Sequence, residues 1–328
     1  MLIRLFKSGH PIHSIVIIII AIVLWLPSIL KQQIYSLEEF SAPLFELFVH
    51  LSGTNHIVQS CISLVLIIVT ALITNSLISN SNITSKTSLL GFFFFIFFIF
   101  SNTNYLESNR FLIINLLLII TLHELFGLFK TEFTLAPLYN ASLLLGIAAM
   151  FYLPLLIMVL FLWAVLLVLR INKWREYIVG LIGISLPLIF ILVWQFYNDE
   201  SYILINNLIS LFNLEFVNIQ QTYLNLIILM LLAGIIIPSF LYQINTLFEK
   251  NIALRQKLTI NIWLFVFTLI AILIDFKSTV SLSLLAIPST VLLSHLSFNI
   301  RKIKWIDIYV SIVFLIIIIN QYSSLFDA

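Results

Sequence analysis

The chain has 328 residues, of which 62% are hydrophobic and 9% charged, and its net charge is only +2. A soluble domain of this length cannot bury so much apolar surface, and so small a net charge gives no nucleic-acid reading. The single cysteine, Cys61, excludes an internal disulfide.

Apolar runs near twenty residues recur along the whole length, each long enough to cross a hydrocarbon layer of roughly 30 Å. The first, 12–30, follows Arg4 and Lys7. It is long for a signal-peptide core, and no small-x-small cleavage site follows Trp25-Leu26-Pro27, so an uncleaved span is expected. The loop 31–56 carries Ser41-Ala42-Pro43, then Leu44, Leu47, Phe48 and Leu51 at helical spacing, then Gly53. A cap, a first-turn proline and a stop predict a short amphipathic helix over 43–51, lying on the membrane surface with that stripe against lipid or the bundle. Further spans are expected at 57–77, 88–101, 111–128, 136–150, 153–169 and 176–197. The Phe run 92–95 with Phe97, Phe98 and Phe100 reads as lipid-compatible packing rather than a cofactor box. A second long loop, 198–222, has Leu204, Leu208, Phe212 and Phe216 and reads as another surface helix. Spans at 223–243, 258–274, 279–294 and 305–320 complete an all-α polytopic transmembrane bundle of about 11 spans, one integral membrane domain over 1–328.

The stretch 136–169 decides that count. Pro154 disfavours helical geometry at Leu153, and Lys130 precedes the stretch while Arg170, Lys173 and Arg175 follow it. Two crossings keep both basic clusters on one side. With eleven spans that side holds Arg4, Lys7, Lys86, Lys130, Arg170, Lys173, Arg175, Lys250, Arg255, Lys257, Arg301, Lys302 and Lys304, thirteen of the sixteen basic residues. Lys31, Arg110 and Lys277 fall on the other, with Glu38, Glu39, Glu46, Glu107, Asp199, Glu200, Glu215, Asp275 and Asp327. The positive-inside rule then puts the N-terminus in the cytoplasm and the C-terminus outside a bacterial inner membrane.

Few residues offer chemistry. Glu38 and Glu39 open the first outer loop. Adjacent carboxylates there suit a divalent metal with a pyrophosphate, or one can act as general base; equally, acids are favoured before a helix N-terminus. Glu107 and Arg110 sit in Asn104-Tyr105-Leu106-Glu107-Ser108-Asn109-Arg110, where the guanidinium suits a lipid phosphate or an interfacial ion pair. His123 and Glu124 are intramembrane ionisable residues, readable as a relay or as a structural pair with Lys130 in reach. Asp307 beside Arg301, Lys302 and Lys304, and Trp174-Arg175-Glu176, read as local compensation and an interfacial anchor. The polar residues Ser281, Ser283, Ser289, Thr290 and His295 around Pro288 suit close helix packing. No HExxH, GxSxG or Walker pattern occurs, against a zinc protease or a primary pump.

Leu138-Tyr139-Asn140-Ala141-Ser142, Gly146-Ile147-Ala148, Phe151-Tyr152-Leu153-Pro154, Arg170 and Trp174-Arg175-Glu176-Tyr177 through Gly180, Gly183 and Pro187 resemble an uncharacterised family of bacterial multi-spanning inner-membrane proteins. The start Phe6-Lys7-Ser8-Gly9-His10-Pro11 extends that likeness over most of the chain. The wider layout resembles the C-type glycosyltransferase superfamily: a span, a long outer loop with surface helices and an acid, a second outer acid, then a tight pair of short spans. That resemblance implies Glu38 or Glu39 as first acid, Glu107 as second and Arg110 as phosphate contact. It departs in having glutamate for the usual aspartate, no Asp-x-Asp and no C-terminal soluble domain. Two function classes follow: a transferase using a polyprenyl-phosphate-linked donor at the outer face, or a non-catalytic scaffold or assembly subunit of a cell-envelope complex. The expected partners are membrane lipids, with that donor or envelope subunits, and a divalent metal is the one cofactor considered.

Overall fold

The computed structural model describes residues 2–7, 9–30, 43–52, 55–84, 88–103, 109–129, 134–198, 223–275, 279–300 and 303–323. These form α1 (Leu2–Lys7), α2 (Pro11–Leu30), α3 (Pro43–Ser52), α4 (His56–Asn80), α5 (Leu90–Ile99), α6 (Asn109–Gly127), α7 (Leu135–Phe151), α8 (Met158–Leu169), α9 (Trp174–Tyr197), α10 (Tyr223–Thr246), α11 (Ile252–Ile274), α12 (Ala286–Asn299) and α13 (Ile303–Ser323). Short 3-10 turns at Leu153–Ile157 and Thr279–Leu285 lead into α8 and α12. No strand occurs among the described residues. Among the described residues, eight helices are long and apolar enough to cross a membrane, and three shorter ones, Leu90–Ile99, Leu135–Phe151 and Leu153–Leu169, are also apolar.

Cross-helix hydrogen bonds give the helix directions. At one end, Ile3 N donates to Asp307 Oδ1, Lys7 Nζ to Phe298 O, Leu89 N to Phe6 O, Lys250 Nζ to Asn299 Oδ1 and Gln256 Nε2 to Val168 O. At the other, Tyr322 OH donates to Val23 O, Gln321 Nε2 to Phe100 O, Asn320 Nδ2 to Asn225 Oδ1, Asn109 Nδ2 to Gln59 Oε1 and Tyr152 OH to Asp275 O. The segments α2, α4, α5, α6, α7, α8, α9, α10, α11, α12 and α13 therefore run alternately between the two ends. Arg4, Lys7, Arg170, Lys173, Arg175, Lys250, Arg255, Lys257 and Lys304 gather at the first, here the basic end. Among described basic residues only Arg110 belongs to the far end. The charge alternation read along the chain is thus a separation in space.

α7 packs closely against α9, and the pair is parallel. Thr134 Oγ1 donates to Glu176 Oε1 at 3.0 Å, Ser142 abuts Gly183, and Gly146 abuts Ile184 and Pro187. A near-constant sequence offset means the two helices run the same way, so α8 must return between them. The pairing works because small residues let backbones meet. A Cβ on Gly146 would lie 2.7 Å from the Ile184 carbonyl oxygen, and one on Gly183 would collide with the Ser142 hydroxyl. The return at Pro154 matches the sequence reading: Tyr152 is extended (φ −151°, ψ 98°), and Pro154 enters the 3-10 turn that replaces the expected helix start.

Two elements differ from expectation. The aromatic helix α5 is entirely buried, so its Phe side chains pack against protein: Phe93 stacks on Phe6 and Phe97 on Phe314. Ten residues rise only about 15 Å, half a bilayer, and the exposed backbone ends of so short a buried helix need partners. They have them. Leu89 N donates to Phe6 O and Phe92 N to Asn75 Oδ1 at one end, and Gln321 Nε2 donates to Phe100 O at the other. In α3 the helix is where expected, but the inward face is rotated. Phe45 is buried with Leu44, Phe48 and Val49 beside it, while Leu47 is exposed. A ten-residue helix with apolar residues on most positions leaves its docking face to tertiary contacts. The second surface helix, expected around 204–216, lies outside the described residues.

α12 is the central helix, with every residue from Ala286 to Ser297 buried. Its Ser289 and Thr290 hydroxyls donate back to Leu285 and Ala286 carbonyls, and Asn261 Nδ2 donates to Pro288 O, the carbonyl ahead of Ser289. Further along the same helix, Ser294 Oγ, Ser297 Oγ and both ring nitrogens of His295 are buried without a hydrogen-bond partner among the described residues.

Candidate functional site

The far end carries a convergence of charged and polar groups from several helices. Arg110 is the second residue of α6, Tyr152 occupies the break between α7 and the 3-10 turn, Asp275 caps α11, and Ser281 lies in the 3-10 turn before α12. Each position follows from local chain logic: Pro154 forces the break at Tyr152, and Asp275 ends the apolar run of α11. Tyr152 is buried, and its hydroxyl donates to the Asp275 carbonyl at 3.1 Å and to Ala271 O at 3.4 Å. Its ring meets Phe111 edge-on at 5.3 Å, and the Arg110 guanidinium lies over Phe111 at 4.8 Å. Asn115 Nδ2 bridges α6 to the 3-10 turn through Ser283 O.

Burial, and then the Asp275 carboxylate, hold the Tyr152 phenol above its ordinary range; Arg110 and a hydrogen bond with the Ser281 side chain act in the opposite sense. Tyr152 is thus a neutral donor under physiological conditions. Arg110 and Asp275 are half-buried. A guanidinium, a carboxylate and a phenol therefore share one place, a combination able to bind a phosphate and receive a proton.

Of the residues singled out in the sequence, Arg110 joins this cluster. Glu38, Glu39 and Glu107 lie outside the described residues. The acid that the structure brings to Tyr152, alongside Arg110, is Asp275, which the sequence marked only as one outer charge among many; a carboxylate at the very end of an apolar span was the available signal. His123 and Glu124 are elsewhere, near the basic end of α6, with His123 exposed and Glu124 half-buried. Lys130, the reach partner considered for Glu124, lies outside the described residues. No group of three or more His, Cys, Asp or Glu able to hold a metal occurs among the described residues.

Trp174 and Arg175 are exposed as an interfacial anchor requires, but Glu176 is buried. Its Oε1 accepts from Thr134, and Oε2 has no hydrogen-bond partner among the described residues. No cation is needed there: Glu176 is the third residue of α9, Thr134 precedes α7, and the two parallel helices present their positive N-terminal ends to one carboxylate. Glu176→Ala should lower stability by about 1–3 kcal/mol, because the half-buried Thr134 hydroxyl and two helix ends lose their acceptor. Glu176→Gln, which keeps an acceptor, should cost less. Thermal melts of the detergent-purified variants test this, and equal melting of Ala and Gln forms would refute the account.

Comparison with known protein families, curated proteins and solved structures returns no match.

Proposed function

We propose that the chain crosses a bacterial inner membrane eleven times, with the basic end in the cytoplasm and the far end outside, and that its far-end cluster binds a phosphate-bearing lipid-linked donor for group transfer. The three short apolar segments count as crossings in this reading because they alternate in direction with the eight long ones. The nine described basic residues at one end against one at the other support the orientation. Reporter fusions at the two termini should report opposite sides; the same side for both would remove the eleventh crossing.

The observation that carries the functional reading is the convergence of Arg110, Asp275 and the buried Tyr152 hydroxyl. Arg110 clamps the donor phosphate. Asp275 receives the acceptor hydroxyl proton as the acceptor oxygen bonds to the transferred carbon, and the carbon–oxygen bond to phosphate breaks with its electrons leaving on the phosphate. Tyr152 donates a hydrogen bond that steadies the Asp275 turn. Glu38, Glu39 and Glu107 remain the further outer acids that the glycosyltransferase-like layout would use, as base or as ligands to a divalent metal. Arg110→Ala should weaken binding of a short-chain polyprenyl phosphate to the purified protein by roughly tenfold or more, the worth of one charge-assisted contact. Asp275→Asn should leave that binding intact and abolish transfer of a labelled sugar in proteoliposomes. Unchanged phosphate affinity in Arg110→Ala would leave the scaffold reading in its place.

A further inference from the structure

A second place offers polar groups without protein partners, and it opens sideways rather than to an end. Between α4 and α6 lies a groove of about 420 Å³ lined by Leu72, Ile73, Ser76, Ile120 and His123. Ser76 and His123 each sit four residues before the last residue of their helix, so both polar groups lie at the same level, one turn from the basic end. The apolar residues extend the groove towards the bundle's middle. Ser76 Oγ accepts from Asn80 Nδ2, which leaves its own proton to give. His123 and Glu124 have no hydrogen-bond or ion-pair partner among the described residues.

On the lateral surface of a membrane helix, a polar group without a partner is costly. A molecule arriving from the bilayer is the natural source of one. The groove is itself amphiphilic, with an apolar length for a chain and two hydrogen-bond donors at the depth of lipid ester and phosphate groups. Glu124, next in the chain and half-buried, adds a carboxylate about 100° round the helix at the same depth. An anionic headgroup meets repulsion there, whereas a headgroup ammonium is attracted and can donate hydrogen bonds.

We infer that this groove is a binding site for a phospholipid with a primary ammonium headgroup. One acyl chain lies along Leu72, Ile73 and Ile120, the phosphate or ester oxygens accept from His123 and Ser76, and the ammonium faces Glu124. The site is remote from the Arg110 cluster and does not depend on the transferase reading.

The test uses the full chain in nanodiscs of phosphatidylethanolamine, phosphatidylcholine and phosphatidylglycerol in equal parts, extracted into mild detergent and analysed by native mass spectrometry. The wild type should retain one phosphatidylethanolamine per chain, enriched about fivefold or more over the other two, as expected for one or two polar contacts. His123→Leu with Ser76→Ala should reduce the retained lipid by a similar factor. Ile120→Trp, which fills the groove without touching the polar pair, should do the same. Glu124→Gln should keep a bound lipid but erase the preference over phosphatidylcholine. Retention in the bulk ratio by the wild type, or unchanged enrichment in both the His123→Leu/Ser76→Ala and Ile120→Trp forms, would overturn the assignment.

Discussion

Gly146→Val is expected to separate α7 from α9 and to be among the most damaging single changes in the molecule. A Cβ at 146 meets backbone, the carbonyl oxygen of Ile184 at 2.7 Å and its Cα at 3.0 Å, and backbone cannot rotate away as a side chain can. The helices must part along the whole Thr134–Pro187 contact. Overpacking alone costs about 1–3 kcal/mol, and parting also strips Glu176 of its second helix end. A melting temperature lowered by many degrees, or loss of the monodisperse peak in detergent, is the expected readout. Gly180→Ala is the control: its Cβ would meet only Leu162 Cδ1, at an ordinary 3.8 Å. In mid-helix that change should be neutral or stabilising by up to about 1 kcal/mol. Equal damage from both substitutions would mean that the close approach is not what holds the pair.

Gln321→Leu is the second large effect. Gln321 is buried, and its amide donates to the Phe100 carbonyl at 2.9 Å, at the C-terminal end of α5. Leucine fills similar space but removes the donor, and a buried backbone carbonyl that loses its partner costs about 1–3 kcal/mol. At the other end of α5, Asn75→Leu should act alike through Phe92 N. The two sites touch opposite ends of one helix, so the double variant should lose roughly the sum of the single losses. Chemical denaturation in mixed micelles measures all three, and a loss under about 0.5 kcal/mol in Gln321→Leu would show that water reaches the end of α5.

Much of the architecture was legible because membrane insertion writes it in charge. Arg170, Lys173 and Arg175 on the same side as Arg4 and Lys7 demand an even number of crossings between them, and Pro154 marks where the extra reversal falls. The helix over Pro43–Ser52 was legible from its cap and stop. Its inward face was not, since a run such as Leu44-Phe45-Glu46-Leu47-Phe48-Val49 has apolar residues on most sides. The burial of α5 was illegible for a related reason: a uniformly apolar helix has no amphipathic face, so lipid contact and core look alike. Asp275 and Glu176 escaped because their meaning lies in partners far along the chain, Tyr152 and Thr134. Arg110 itself stood out as one of only three basic residues on the acidic side, placed at the start of a span.

The parallel register of α7 and α9 carries a consequence for biosynthesis. The two faces that fit so closely belong to segments about 41 residues apart, with α8 threaded between them. At about 5–20 residues per second, Ser142 and Gly146 emerge roughly 2–8 seconds before Gly183 and Pro187 exist to meet them. During that interval the small-residue face of α7 is bare to lipid or translocon, and available to any other glycine-lined helix. The nascent chain is therefore most open to mispairing, and to capture by an insertion chaperone, while α8 and the first half of α9 are being synthesised.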